Sequence, residues 1–275
     1  MKVSIIIATF NRSLQLSRGL ITILKQEILP DEIVIIDDGS VDDTRKVCES
    51  FKVLAAGFGV GLKYKYLNHP EHRISSIPRN VGIKQSTGDL IIFTEPEILH
   101  VGNTIKQLLD LMKSNPNKVP VATQIWTIQQ KIYDKLNQDN FERPMTILTH
   151  KYAQLTESPN LDNLKAPNSD WAITGSKNCL TGCLFACEKK WLLDIGGFDE
   201  SFEGHGWDDF DLFERFNLYG TPILKTDDII VIHQWHEKNY PYNIIDAGQK
   251  NGEKSKQRVL KGEFKVNIDK EWGIE

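Results

Sequence analysis

Three short apolar runs set what this chain can become: Val-Ser-Ile-Ile-Ile at residues 3–7, Ile-Val-Ile-Ile at 33–36 and Leu-Ile-Ile-Phe at 90–93. They are strand-length and almost without polar interruption, the pattern of strands covered on both faces in parallel sheets. Between the first two, Leu16, Leu20, Leu24 and Ile28 repeat at helical spacing, with Ser13 ahead as a cap and Pro30 as the stop. The expected order is a strand over residues 2–9, a helix from 13 to about 27 and a strand over 32–36. A further helix follows, capped by Ser40, with Asp42 and Asp43 in its first turn. Strand, helix, strand, helix is the signature of a right-handed crossover and an α/β sheet.

Ligands of such sheets bind at the carboxyl ends of the strands. That rule puts Thr9-Phe10-Asn11 and Asp37-Asp38 together at one edge of a cleft. Asp37 and Asp38 suit a tight turn; equally, one of them can accept a hydrogen bond from a base or ribose while Phe10 offers a stacking face. Gly57-Phe-Gly-Val-Gly61 follows a helix and precedes a strand over residues 62–67, the reverse of a dinucleotide-binding loop, and reads as a plain connection. Pro78-Arg79-Asn80 opens a short helix closed by Gly88-Asp89, and the third strand ends in Thr94-Glu95-Pro96-Glu97. Two carboxylates one residue apart at that edge either bind a divalent cation, and through it a diphosphate, or form a solvated turn.

A helix over residues 101–113 and a strand over 119–125 come next. Residues 127–175 then lose periodicity and read as an insertion of loop and short helix lining the acceptor side. A strand over 179–187, a short helix over 189–193 and a strand over 229–232 complete the regular part, the last ending at His233-Gln-Trp-His236. A histidine pair at this spacing is either a metal-ligand pair or two ordinary histidines. The segment after Tyr240 is polar and lysine-rich, as in a surface helix and tail.

The richest stretch runs over residues 196–216. Two glycines lead into alternating aromatic and acidic residues through Gly204-His-Gly-Trp207, and Asp208-Asp209-Phe210-Asp211 then starts a helix with Phe210, Leu212, Phe213 and Phe216 at helical spacings and Gly220 as its stop. First-turn carboxylates suit the positive end of a helix dipole. The glycine–tryptophan lead-in exceeds what a cap needs; a carboxylate beside an aromatic platform can hold a sugar and take a proton from its hydroxyl.

A formal charge of −4 over 275 residues excludes the basic stripe of a nucleic-acid binder, and no apolar run reaches the length of a membrane span. Met1-Lys2 leads straight into a strand, so the expected location is cytoplasmic, with peripheral membrane contact left open. Of the four cysteines, Cys179, Cys183 and Cys187 are evenly spaced and read as one packed strand face rather than a zinc site.

Taken together, Ser4-Ile-Ile-Ile-Ala-Thr-Phe-Asn-Arg12, Glu32-Ile-Val-Ile-Ile-Asp-Asp-Gly-Ser40, Arg79-Asn80-Val-Gly82, Gly88-Asp89-Leu-Ile-Ile-Phe93 and Gly196-Gly-Phe-Asp199 resemble the family 2 glycosyltransferases of the GT-A fold. Gly204-His-Gly-Trp-Asp-Asp-Phe-Asp-Leu212 resembles the carboxyl-terminal motif of galactosyl- and N-acetylgalactosaminyltransferases and chondroitin polymerases. The resemblance implies an α/β, Rossmann-like, mostly parallel central sheet flanked by helices in a single domain over residues 1–240. Residues 1–100 would form its nucleotide-sugar half, 101–240 its acceptor half, and 241–275 a C-terminal helix and tail. It further implies a hexosyltransferase of polysaccharide biosynthesis, taking a UDP-sugar donor and a saccharide or glycoconjugate acceptor.

Residue by residue, the resemblance implies that Thr9, Phe10, Arg12, Asp38 and Arg79 bind the nucleotide, Asp38 at the uracil, Phe10 stacked on it and Arg79 along the nucleotide or phosphates. Glu95 and Glu97 would take the place of the family's paired metal-site aspartates, with Glu97 as direct ligand beside His233 and His236, and the cation would be manganese or magnesium. Asp209 would be the catalytic base of an inverting transfer, with Trp207 and Asp208 on the acceptor sugar. Glutamate for aspartate carries each carboxylate out by roughly 1.5 Å, whereas metal–oxygen distances tolerate about 0.2 Å. Either the strand end is set back or metal binding weakens. The same residue types would also serve a metal-dependent nucleotide-sugar hydrolase or a non-catalytic nucleotide-sugar-binding protein.

Overall fold

A computed structural model describes residues 1–68, 76–128, 173–176, 180–204, 206–236 and 244–274. The first half follows the apolar runs: β1 (Val3–Thr9), α1 (Ser13–Leu24), β2 (Glu32–Asp37), α2 (Thr44–Gly57), β3 (Gly61–Tyr66), α3 (Ser76–Gln85) and β4 (Leu90–Thr94). These four strands pair in parallel in the order β3-β2-β1-β4. Both faces of β2 and β4 are buried, as their unbroken apolar content requires.

The caps differ from expectation. Ser13 and Ser40 do not cap α1 and α2; Asp42 serves both, accepting from Ser13 N–H at 2.9 Å and from Thr44 N–H at 3.0 Å. Ser40 Oγ instead accepts from Asn11 N–H at 2.8 Å, tying the loop after β2 to the end of β1. One carboxylate satisfies two helix N-termini 29 and 2 residues away.

The second half comprises β5 (Ile98–His100), α4 (Thr104–Ser114), β6 (Val119–Ile128), β7 (Ile173–Ser176), β8 (Leu184–Glu188), α5 (Lys189–Ile195), α6 (Asp208–Tyr219), β9 (Ile223–His233) and α7 (Ile244–Leu260). The nine-stranded sheet runs β3-β2-β1-β4-β8-β6-β9-β5, with β7 paired to β6. β8 lies antiparallel between β4 and β6, while β6 and β9 are parallel. The chain therefore leaves β4 at Thr94 and enters β5 at Ile98 on the far edge, so Glu95-Pro96-Glu97 crosses between the two halves of the sheet.

The strand expected over residues 179–187 begins only at Leu184. Residues 182 and 183 form a turn, Cys183 and Cys187 are buried, and Cys179 lies outside the described residues. Most of the insertion expected over 127–175 also lies outside them, its ends being the paired strands β6 and β7. β9 is longer than the apolar run 229–232 because Thr226 and its neighbours continue the pairing with β6 across a register shift.

A chain of phenylalanines joins sheet to helix. Phe93 stacks on Phe185 at 4.8 Å, and Phe185 meets Phe213 of α6 edge-on at 5.3 Å. Such rings bury roughly 150–250 Å² each, so the packing that anchors α6 also fixes where its first residues, Asp208 and Asp209, stand. Phe210, expected on that apolar line, points outward and is exposed. Among the described residues no helix is long and apolar enough to cross a membrane.

Candidate active site

At the carboxyl ends of β1 and β2 the structure separates two adjacent aspartates. Asp37 is the turn residue: its Oδ1 accepts from Ser40 N–H at 2.8 Å and its Oδ2 from the Tyr64 hydroxyl at 2.7 Å. Asp38 is buried at the ligand edge, with its N–H on Thr9 O at 2.9 Å. Beside it the buried Thr9 Oγ1 has no hydrogen-bond partner among the described residues, and Phe10 is half-buried. A buried hydroxyl without a partner is costly unless something else satisfies it.

Arg79 is buried between three carboxylates. It ion-pairs with Asp208 and lies 3.5 Å from Glu95 and 3.6 Å from Asp209, with Phe198 beneath its guanidinium. Arg79, expected at the nucleotide, here faces protein carboxylates, and Asp208, expected at the acceptor sugar, is its buried counter-ion. The physical reason is that a cation removed from water needs compensating charge nearby. Burial works against its charge, and Asp209, Asp208 and Glu95 outweigh that and raise its pKa.

Asp209 stands at the first turn of α6, its Oδ2 accepting from Gly182 N–H at 3.0 Å. Its buried Oδ1 has no hydrogen-bond partner among the described residues. The helix dipole alone would keep this group an ordinary carboxylate. Burial dominates instead and, with Asp208 and Glu95 adding to it against Arg79 and the Gly182 amide, pushes the pKa up to about 7. A carboxyl group at that value can both hold and release a proton at neutral pH.

Glu95 and Glu97 part company. Glu95 turns to Arg79 and accepts from the Cys183 thiol at 3.2 Å. Glu97, buried, lies 3.6 Å from His233 Nε2 and 3.2 Å from His236 Nε2. Candidate ligand atoms of Glu97, His233 and His236 all fall within 4.8 Å of one another, and Glu95 is not in that group. With Pro96 between them, the two carboxylates reach different partners. Burial raises the Glu97 pKa, but His236, His233 and Arg12 together bring it below the usual carboxylate value, so the group is an anion facing two imidazoles. His233 Nδ1 is buried without a hydrogen-bond partner among the described residues. A carboxylate and two imidazoles, one of them with an orphaned ring nitrogen, form a donor set that suits a divalent transition ion such as manganese.

Arg12, expected at the nucleotide, donates to His236 Nδ1 at 2.9 Å. Trp207, at a left-handed φ of 70°, is 37% exposed, and its indole lies on α7. A Cβ at Gly252 would come 2.6 Å from its Cε2, so only glycine fits there. Asn251 accepts from Glu203 N–H and donates to the carbonyls of Glu203 and Gly206, each at 3.0–3.1 Å. Arg258 pairs with both Asp199 and Asp211. The helix expected as a surface element thus braces the loop before α6. Sequence patterns missed Gly182, Cys183, Asn251 and Gly252. A turn signal did precede β8 at Gly182, but α7 carries small and polar residues on its docking face instead of an apolar stripe.

Residues 4–167, more than half of the chain, match the family described as glycosyl transferase family 2. The chain belongs to that family. Residues 163–233 match the family described as the N-terminal domain of galactosyltransferase. An uncharacterized glycosyltransferase of Bacillus subtilis (strain 168), YfnE, is 23% identical over 87% of this chain and 66% of its own length. Two further curated relatives are spanned over 53% and 57% of their lengths, so the chain corresponds to part of each. The crystal structure of S. aureus TarS 1–349 in complex with UDP superposes with a TM-score of 0.62 at 15% identity, covering 98% of this chain and 67% of that one. GalNAc-T7 with UDP, GalNAc and Mn2+ gives a TM-score of 0.62 at 16% identity, covering 95% and 48% respectively. The fold is the GT-A fold of these glycosyltransferases.

Proposed function

We propose that this chain is an inverting glycosyltransferase that moves a hexose or N-acetylhexosamine from a UDP-sugar to a hydroxyl of a saccharide or glycoconjugate acceptor. Asp209 takes the proton of the acceptor hydroxyl, whose oxygen bonds to the anomeric carbon from the face opposite the nucleotide. The bond from that carbon to the diphosphate breaks, and UDP leaves with the electron pair. Arg79 and Gly182 hold Asp209, and Asp38, Thr9 and Phe10 receive the nucleotide. Trp207 presents its exposed part to the acceptor. A divalent cation, manganese or magnesium, held by Glu97, His233 and His236, would offset charge growing on the departing diphosphate.

The observation that carries this reading is the joint placement of base and cation seat. Asp209, with its unbonded oxygen and a pKa of about 7, contacts the Arg79–Glu95 cluster, and Glu97 of the histidine cluster lies two residues further along the same segment. Two residues of chain span at most about 7 Å. The TarS complex with UDP and the GalNAc-T7 complex with UDP and Mn2+ are in keeping with it. The test is a panel of UDP- and GDP-sugars, with and without manganese, assayed for binding, for hydrolysis by water and for transfer to a panel of saccharides. Transfer from a UDP-sugar that manganese accelerates and Asp209→Asn abolishes supports the proposal. Hydrolysis at equal rate with and without every acceptor overturns it in favour of a hydrolase.

A further inference from the structure

The contact between Arg12 and His236 bears on how the cation seat is filled. A guanidinium has only donors, so His236 Nδ1, 2.9 Å from Arg12 Nη2, is the acceptor. A neutral imidazole carries one N–H, which therefore sits on Nε2, and that nitrogen faces Glu97 Oε1 at 3.2 Å. In this arrangement neither nitrogen of His236 offers a lone pair to a metal: one is engaged by Arg12, the other holds a proton against Glu97. A ring that ligates through one nitrogen needs its proton on the other, facing an acceptor, and Arg12 cannot be that acceptor.

Arg12 is also wired to the nucleotide edge. Its Nη1 donates to Asn11 O at 3.1 Å, and Asn11 sits at a left-handed φ of 48°. Asn11 is pinned there by two contacts with the loop that carries Asp38: its N–H on Ser40 Oγ and its Oδ1 on Val41 N–H, both at 2.8 Å. On the other side, α1 grips the histidine segment again through Gln15, which donates to Trp235 O at 3.4 Å and accepts through its carbonyl from Gln234 at 3.0 Å.

We propose that Arg12 is the resident cation of the Glu97–His233–His236 site, competing with a divalent metal for His236 and releasing the ring when a nucleoside diphosphate draws the guanidinium to its phosphates. This rests on the proposed function above and adds how metal and nucleotide are coupled at that site. A guanidinium prefers a bidentate phosphate to a single imidazole nitrogen. Nucleotide binding then frees His236 to take its other tautomer and ligate, and by linkage the metal tightens the nucleotide by the same factor.

The test uses manganese alone and UDP alone as probes, by calorimetry and by electron paramagnetic resonance, on the full chain. Without nucleotide, Arg12→Gln and Arg12→Met each bind manganese about tenfold more tightly than wild type, and UDP improves their manganese affinity by a correspondingly smaller factor. Manganese affinity in these variants equal to or weaker than wild type overturns the proposal. In the wild-type protein, ¹⁵N-imidazole chemical shifts report the protonated Nε2 form of His236 before UDP and diamagnetic magnesium are added and the other form after. A ring already protonated at Nδ1 in the free protein overturns the proposal with no variant needed. If wild type binds neither UDP nor manganese, the proposed function fails; if it binds both and these outcomes are missing, only the role of Arg12 fails.

Discussion

The backbone N–H of Gly182 donates to Asp209 Oδ2 at 3.0 Å, and a methyl group on residue 182 would fall on that same carboxylate. The turn ahead of β8 and the first turn of α6 are thus matched surfaces, and the position of Asp209, the proposed base, depends on residue 182 having no side chain. Gly182→Ala displaces Asp209 and lowers transfer by roughly a hundredfold or more, since misplacement on the ångström scale has that cost. UDP affinity, measured by calorimetry alongside the rate, stays within about threefold.

The pH dependence follows from the raised pKa. Asp209 works as a base only when ionised, so turnover rises with pH through about 7. Folding holds its proton more tightly than the unfolded chain, whose value is 3.8, so this group lowers stability as pH climbs from there to about 7. Asp209→Asn is neutral at every pH. It therefore melts a few degrees above wild type near pH 8, a difference that vanishes once pH falls below 3.8. Scanning calorimetry across pH reads both signs.

Glu95 and Glu97 should separate cleanly in metal binding. Glu97→Gln removes the anion of the histidine cluster and with it the enhancement of UDP binding by manganese, leaving metal-free UDP binding unchanged. Glu95→Gln, outside that cluster, keeps the enhancement but loosens Arg79 and so lowers the transfer rate. Titrating UDP with and without manganese in both variants checks this; the reverse assignment would show that Glu95 supplies the ligand.

The adjacent aspartates of β2 differ in kind. Asp37→Ala leaves the Tyr64 hydroxyl and the Ser40 amide without their acceptor, costing about 1–3 kcal/mol of stability. Asp38→Ala has a smaller effect on melting and abolishes the preference for UDP over GDP. Denaturant unfolding and nucleotide titration on the two proteins distinguish them.

On the acceptor side, Gly252→Ala pushes the Trp207 indole off α7. The cost in stability is about 1–3 kcal/mol, and acrylamide quenching of the fluorescence lost in Trp207→Phe increases. UDP affinity is unaffected, because α7 braces the loop before α6 and not the nucleotide edge.

Most of the parallel half was legible because β1, β2 and β4 are buried and show as nearly unbroken apolar runs, whereas the edge strand β3 alternates lysine and tyrosine. That Glu97, His233 and His236 would come together was expected from the resemblance, and their ligand atoms do cluster. What escaped depends on contacts between distant residues. Asp42 caps α1 across 29 positions, and nothing local distinguishes it from Asp43. β5 is three residues long, too short for any periodicity. The carboxylates beside Arg79, expected along the nucleotide or phosphates, escaped because only the fold brings Asp208 and Asp209 to it. The raised pKa of Asp209 comes first from burial, about which a first-turn aspartate in the sequence says nothing.

The crossing of Glu95-Pro96-Glu97 between the sheet halves has a consequence for redesign. In the proposed function one carboxylate of the pair would support the proton acceptor and the other would seat the cation, with Pro96 between them. A substitution at Pro96, which shifts both carboxylates at once, would disturb the two together, whereas Glu95 and Glu97 can be changed one at a time. His233 and His236 hang from β9 on the opposite side, with no part in the Arg79 cluster. Variation at those two positions is where a library could change the ion while leaving the acid–base chemistry as it is.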